Sequence, residues 1–100
     1  MVATANKLGM KVRFSLGRTV ATPGALAALE EAGEIAFRLF WRHERGDWGS
    51  VPPDDAAANE QSLVDGSRII SSYTLKTGVK VWLITEAGRS ATTILLPEEY

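Results

Sequence analysis

Arg68-Ile-Ile-Ser-Ser-Tyr-Thr-Leu-Lys-Thr-Gly-Val-Lys-Val-Trp-Leu-Ile-Thr-Glu-Ala-Gly-Arg-Ser-Ala-Thr-Thr-Ile-Leu-Leu96 is the stretch that decides the fold. It is dominated by β-branched and aromatic residues in three runs, Arg68–Leu75, Val79–Thr85 and Ser90–Leu96. That composition suits a pleated, half-buried surface. Lys76-Thr77-Gly78 joins the first run to the second and Ala87-Gly88-Arg89 the second to the third. Connections this short join antiparallel neighbours, so the three runs predict a meander. Period-two alternation sends Ile69, Ser71, Tyr73 and Leu75 to one face and Arg68, Ile70, Ser72, Thr74 and Lys76 to the other. In the second run Val79, Val81 and Leu83 oppose Lys80, Trp82, Ile84 and Glu86. The faces holding lysine are expected to point away from any covering layer.

Ahead of the meander the periodicity turns helical. Pro52-Pro53-Asp54-Asp55 opens a helix with acids in its first turn, running through Ala56 to Val64 and ending at Gly66. A second helix is predicted over Glu34–Arg45, with Ile35, Leu39 and Phe40 inward, Arg38, Arg42 and Arg45 outward, and Gly46 as its stop. Thr22-Pro23-Gly24 starts another: Thr22 can cap free amides, and Pro23 at the first position forfeits no hydrogen bond. Leu26 and Leu29 are expected to share its buried face, and Gly33 ends it. Gly46-Asp47-Trp48-Gly49-Ser50 reads as a turn whose Trp48 plugs the helix layer, with a place in a binding site as the alternative for that ring. Before all of these, Val12, Phe14 and Leu16 alternate with Lys11, Arg13 and Ser15, which predicts a strand over Lys11–Val20, weakened at Gly17. The expected architecture is α+β, in the order β-α-α-α-β-β-β, with helices on one face of an antiparallel sheet. At 100 residues the chain suits one domain over 1–100, with a flexible N-terminus at 1–10.

With 45% apolar and 23% charged residues, the chain can offset the entropy of ordering, which a disordered composition could not. It lacks cysteine, which excludes a disulfide framework and thiolate metal ligation and favours the reducing cytoplasm as its compartment. No apolar run is long enough for a membrane span or a secretory signal, so a soluble protein with no membrane association is expected. The net charge of −1 hides an uneven distribution. Acids concentrate between Glu30 and Asp65, while Lys7, Lys11, Arg13 and Arg18 precede them and Arg68, Lys76, Lys80 and Arg89 follow. If charge follows the layers, the sheet is basic and the helix layer acidic.

On that sheet Arg68, Lys76, Lys80, Trp82 and Ile84 form the candidate binding face, cationic and partly apolar, with a flat ring for a partner to stack on. The plainer alternative makes Trp82 and Ile84 core and leaves the lysines at strand ends in water. His43 and Asp47 lie one helical turn apart and are the nearest approach to a ligand pair. A single histidine without cysteine cannot complete a zinc site, and the ordinary role of His43 is an exposed cation at a helix C-terminus. No metal or other cofactor is expected. The strand hydroxyls lack a nucleophile elbow, and no phosphate loop, dinucleotide fingerprint or paired-carboxylate pattern occurs. One enzymatic alternative survives, metal-independent RNA cleavage using His43, Arg68, Tyr73 and Arg89. Helices followed by a small antiparallel sheet resemble the plan of barnase and RelE-like toxins at the level of fold alone.

Arg18 to Leu26, Arg42-His43 with Gly46-Asp47-Trp48-Gly49, Ile69 to Tyr73, Val81 to Glu86 and Thr92 to Tyr100 together resemble a family of short uncharacterised proteins of bacterial plasmids and other mobile elements. Members are sometimes labelled as a type I restriction enzyme modification subunit, and they share the tail Pro97-Glu98-Glu99-Tyr100. Val51-Pro52-Pro53-Asp54 lacks the polar residue before the prolines and the aromatic after them that a methyltransferase motif requires. The resemblance implies a bacterial mobile-element setting and no defined activity. The expected function is a non-enzymatic binding module, contacting a protein partner or a second copy of itself through the outer sheet face. The alternative is nucleic-acid binding or RNA cleavage through the basic sheet layer.

Overall fold

The computed structural model describes residues 11–100, so the flexible N-terminus expected at 1–10 lies outside the described residues. The elements run β1 (Arg18–Ala21), α1 (Pro23–Ala32), α2 (Ala36–Glu44), α3 (Pro53–Asp65), β2 (Ile69–Thr74), β3 (Lys80–Thr85) and β4 (Ala91–Leu95). Short 3₁₀ turns at Ala87–Arg89 and Pro97–Glu99 flank β4. The α+β class and the order of elements are those expected. The sheet is β1-β4-β3-β2: the meander is antiparallel throughout, but β1 runs parallel to β4, with Arg18 opposite Ala91 and Ala21 opposite Ile94. A fully antiparallel sheet is therefore corrected to a mixed one.

The helices form as their end signals dictate. Thr22 Oγ1 accepts the Ala25 amide at 3.1 Å, Pro23 occupies the first turn of α1, and Gly33 closes it in the left-handed conformation. Its buried stripe is Ala25 and Leu29, so Leu26, expected inward, is 52% exposed. In α2 the stripe is Leu39 and His43, with Phe40 packed against the core. Ile35, also expected inward, stands before the first turn and is exposed. Against these stripes lie Tyr73 and Leu75, Val81 and Leu83, and Ile94, the residues that alternation sends inward.

The strand expected over Lys11–Val20 shrinks to Arg18–Ala21. Lys11–Gly17 is a strap rather than a strand. Arg13 is tied through its amide to the Glu44 carbonyl and through its guanidinium to Glu60, and Phe14 lies edge-on over the His43 ring at 5.1 Å. Phe14 and Leu16 cover the interior without a ladder, while Val12, expected on the same face, is exposed. Gly17 ends the strap with a φ of 65°, and a Cβ there would stand 2.3 Å from the Arg89 carbonyl oxygen, so only glycine lets this segment draw alongside β4.

The opposite edge of the sheet is covered. Asn59 of α3 donates from Nδ2 to the Ile70 carbonyl and accepts the Ile70 amide, completing two edge groups of β2. The Ser72 amide donates to the Trp48 carbonyl, and the Ser50 amide donates to the Ser72 carbonyl. Gly49, with φ 72°, sits so close that a Cβ would be 1.9 Å from that carbonyl.

His43 overturns its expected role. It is fully buried rather than an exposed cation, and Asp47 pairs with Arg42 instead, at 2.6 Å. The helical face carrying Leu39 also carries His43, so it points at the sheet, where β2, β3 and β4 present Ser71, Thr85 and Thr92, all buried. Thr92 Oγ1 donates to the Leu16 carbonyl at 2.7 Å, which spends its only proton. Thr85 must then donate to Thr92 at 2.6 Å, His43 Nε2–H to Thr85 at 2.9 Å, and Ser71 to His43 Nδ1 at 2.6 Å. These bonds require a proton on Nε2, and burial keeps the ring neutral, so Nδ1 accepts from Ser71 and the whole chain of bonds has one polarity. Trp48 and Phe14 close over it, with the Trp48 and His43 ring centroids 6.0 Å apart. Burial, reinforced by the nearby Arg89 charge, pushes the His43 pKa down from 6.5 to about 3.

Among the described residues no helix is long and apolar enough to cross a membrane, and no group of His, Cys, Asp and Glu could hold a metal ion.

Because His43 binds its proton more weakly folded than unfolded, its contribution to stability is present above pH 6.5 and is lost as pH falls toward 3. Urea unfolding at pH 7.5 and 5.5 is expected to show a loss of roughly 1.3 kcal/mol from this group. His43→Leu should be less stable at pH 7.5 and lack that component of the slope. Gly49→Ala is expected to cost about 1–3 kcal/mol in the same measurement, from left-handed strain and displacement of the β2 edge.

Candidate functional site: the groove on the outer sheet face

Alternation along β2 and β3 turns Ile70, Ser72 and Trp82 away from the helices, onto the outer face. Ser72 and Trp82 stand opposite each other in the ladder. A small residue beside an indole leaves a depression, and two segments raise its sides. One is Val51-Pro52 with Asp55 from the first turn of α3; the other is Pro97 of the C-terminal turn. Lys80 lies at the rim, and the groove has a volume of about 490 Å³. Trp82 is half-buried at its floor, so one part of the ring is packed and another faces the groove.

The Pro97 wall is anchored by Glu99. Its carboxylate accepts the Thr22 hydroxyl at 2.6 Å and the Leu96 amide at 2.7 Å, and these bonds hold the carboxyl below its ordinary pKa. The tail thus ends at the start of α1, where a negative charge is favoured. Tyr100 then turns back edge-on to Trp82, with centroids 5.8 Å apart. Its hydroxyl accepts a hydrogen bond from the Arg68 guanidinium. Arg68 also borders a smaller hollow with Asp55, Ala58, Asn59 and Ile70, about 250 Å³, which shares Asp55 and Ile70 with the groove.

Of the five residues expected on this face, Trp82 and Lys80 line the groove and Arg68 closes one side. Ile84 is only 4% exposed and offers no contact surface. Lys76 belongs elsewhere. β2 ends at Thr74 and the chain then turns, with the Gly78 amide donating to the Leu75 carbonyl, so alternation cannot be extended to position 76. Lys76 instead borders a hollow with Glu34, Arg38 and Arg42 of the helix layer. The expected division into a basic sheet and an acidic helix layer is corrected accordingly: Arg38 and Arg42 of α2 stand beside Lys76, and Asp55 stands beside the outer sheet face.

The groups available for RNA cleavage have structural partners. His43 is buried, and Tyr73, 2% exposed, donates its hydroxyl to the Asp47 carbonyl at 2.6 Å under the Arg42 guanidinium. Burial raises its pKa. Arg89 donates to the Ser62 and Ser67 carbonyls at 2.7 and 2.6 Å, completing the C-terminal end of α3. Trp48 is 7% exposed, its Nε1–H donating to Glu60, which makes it the expected plug. These residues meet no open surface as a group.

Sequence reasoning missed Val51, Pro52, Asp55, Pro97 and Tyr100. Their signal was present as a proline on either side of the β2–β3 hairpin, but reading Pro52 as a helix start accounted for it locally.

Glu99→Ala is expected to speed hydrogen exchange of the Leu96 amide by about five- to tenfold, the value of one hydrogen bond, while β3 amides keep their protection. In comparison with known proteins, no family model, no curated protein and no solved structure matches this chain.

Proposed function

We propose that this domain is a non-enzymatic binding module that receives an extended segment of a protein partner in the groove on its outer sheet face. The observation that carries this reading is the half-buried Trp82 ring on the floor of a concave, largely apolar channel between Pro52 and Pro97. A fixed aromatic in a partly desolvated hollow is the usual anchor of a binding hot spot. Proline walls and flanking aromatic rings suit an extended ligand that arrives with little conformational entropy to lose. The β2 edge is already occupied by Asn59 and by Gly49-Ser50, so the segment binds through its side chains and adds no strand there. A concave surface is also not complementary to itself, which favours an inserted segment over the flat face of a second copy. The resemblance to short plasmid proteins makes an accessory protein of a bacterial mobile element the setting we propose.

The test is selection of peptides from a displayed random library, with affinities measured for wild type and Trp82→Ala. The half-buried ring predicts a stability cost of about 1–3 kcal/mol, so the variant stays folded. Proline- or aromatic-bearing peptides should lose about 30-fold or more in affinity for it. Selected peptides indifferent to Trp82→Ala overturn the reading. Self-association of the wild type that disappears in Trp82→Ala replaces the foreign segment with a second copy.

A further inference from the structure

The solvent face of α2, on the opposite side of the molecule from the groove, carries two ladders. Arg38 and Arg42 are four residues apart, as are Phe37 and Trp41, so guanidinium groups and rings climb one helical turn side by side. Two adjoining hollows share both arginines. In the first, about 350 Å³, Arg38, Arg42 and Lys76 converge with Glu34 as the sole acid of its lining. The Glu34 carboxylate accepts the backbone amide of Lys76 at 2.7 Å, and neither Arg38 nor Lys76 forms an ion pair among the described residues. The second hollow, about 190 Å³, lies between the same arginines and the rings of Phe37 and Trp41.

Nothing in the fold needs the Phe37 ring outside, and Trp41 beside it is half-buried. Phe37 is 68% exposed, the most solvent-open aromatic among the described residues, on a helix whose inward stripe is already filled by Leu39, Phe40 and His43. Trp41 is held by the Arg45 guanidinium, 4.1 Å from its ring centroid. Arg42 is likewise positioned, by its bond to Asp47 and its stacking on Tyr73. The surface therefore offers oriented cations and flat apolar faces next to one another, at a site where the chain departs from its overall net charge of −1.

We infer that this face binds single-stranded nucleic acid, with backbone phosphates in the Arg38–Arg42–Lys76 hollow and a base stacked against Phe37 and Trp41. Positive charge tracks the backbone, and rings stack on bases irrespective of sequence. An acidic peptide would satisfy the cations but leave the rings without a role, and a duplex keeps its bases stacked within itself. The inference is independent of the groove and relocates nucleic-acid recognition from the sheet layer to the helix layer.

The test uses fluorescence anisotropy of labelled 12-nucleotide single-stranded RNA and DNA of mixed sequence, at 50 and 250 mM salt. Arg42 is already paired with Asp47, so the two unpaired cations, Arg38 and Lys76, predict a logarithmic salt slope of about −1.4, and affinity should fall roughly tenfold between these salts. Arg38→Gln with Lys76→Gln should weaken binding and flatten the slope. Phe37→Ala, at an exposed position, should stay folded and lose about tenfold in affinity with the slope unchanged. Trp82→Ala should bind as wild type does. Failure of both strands to bind at 50 mM salt overturns the inference. Binding that Phe37→Ala leaves intact, or that a poly-glutamate peptide displaces at equal concentration, also overturns it and assigns the surface to an acidic protein segment.

Discussion

A single line of buried hydrogen bonds, from Ser71 through His43, Thr85 and Thr92 to the Leu16 carbonyl, sets the positions of everything around it. With His43 neutral, each member has one proton to give and gives it in the same direction. No hydroxyl from Thr85 to Thr92 can be reversed without losing a bond, and a second proton on the imidazole, which burial opposes, would reverse the bond to Ser71. It crosses β2, β3 and β4 and is reached by α2 from above and the N-terminal strap from the side. Sliding α2 along the sheet would break it at one imidazole nitrogen or the other. Apolar contacts alone allow such slippage at little cost, because they have no direction. The helix is thus locked in rotation as well as in distance, and its outward arginines and rings inherit that precision.

Much of this was legible in the chain. The β-branched runs and their short turns gave the meander, and Thr22-Pro23, Gly33, Pro53 and Gly66 marked helix ends that the structure reproduces. What escaped were properties settled between elements. The direction of β1 depends on how three helices are threaded before the meander returns, which no local pattern encodes. His43 resembled a surface residue because a histidine late in a helix is favourable there. The sign of its burial lay elsewhere, in Ser71, Thr85 and Thr92, hydroxyls at inward positions of separate strands that need a buried partner. Read together, those hydroxyls ask for one residue able both to donate and to accept across the layer.

The groove shows the same division. Trp82, Lys80 and Arg68 were placed by alternation, whereas the walls come from segments distant in sequence, brought together by Asn59 on one side and Glu99 on the other. The helix-layer surface was hidden for a different reason. Its arginines sit in a stretch of the chain rich in acids, and only folding brings Lys76, from the β2–β3 turn, beside Arg38 and Arg42 with Glu34 as the one acid of the lining. Two distinct faces result, one concave and largely apolar, one cationic and aromatic, with the sheet between them.

The parallel pairing of β1 with β4 has a consequence for how the protein is made. Arg18 must find Ala91, 73 residues further along the chain, so β1 leaves the ribosome well before its partner exists. Until then β1 is an unattached ribbon. Its four-residue length and its arginine and threonine side chains keep that ribbon a poor template for another nascent chain.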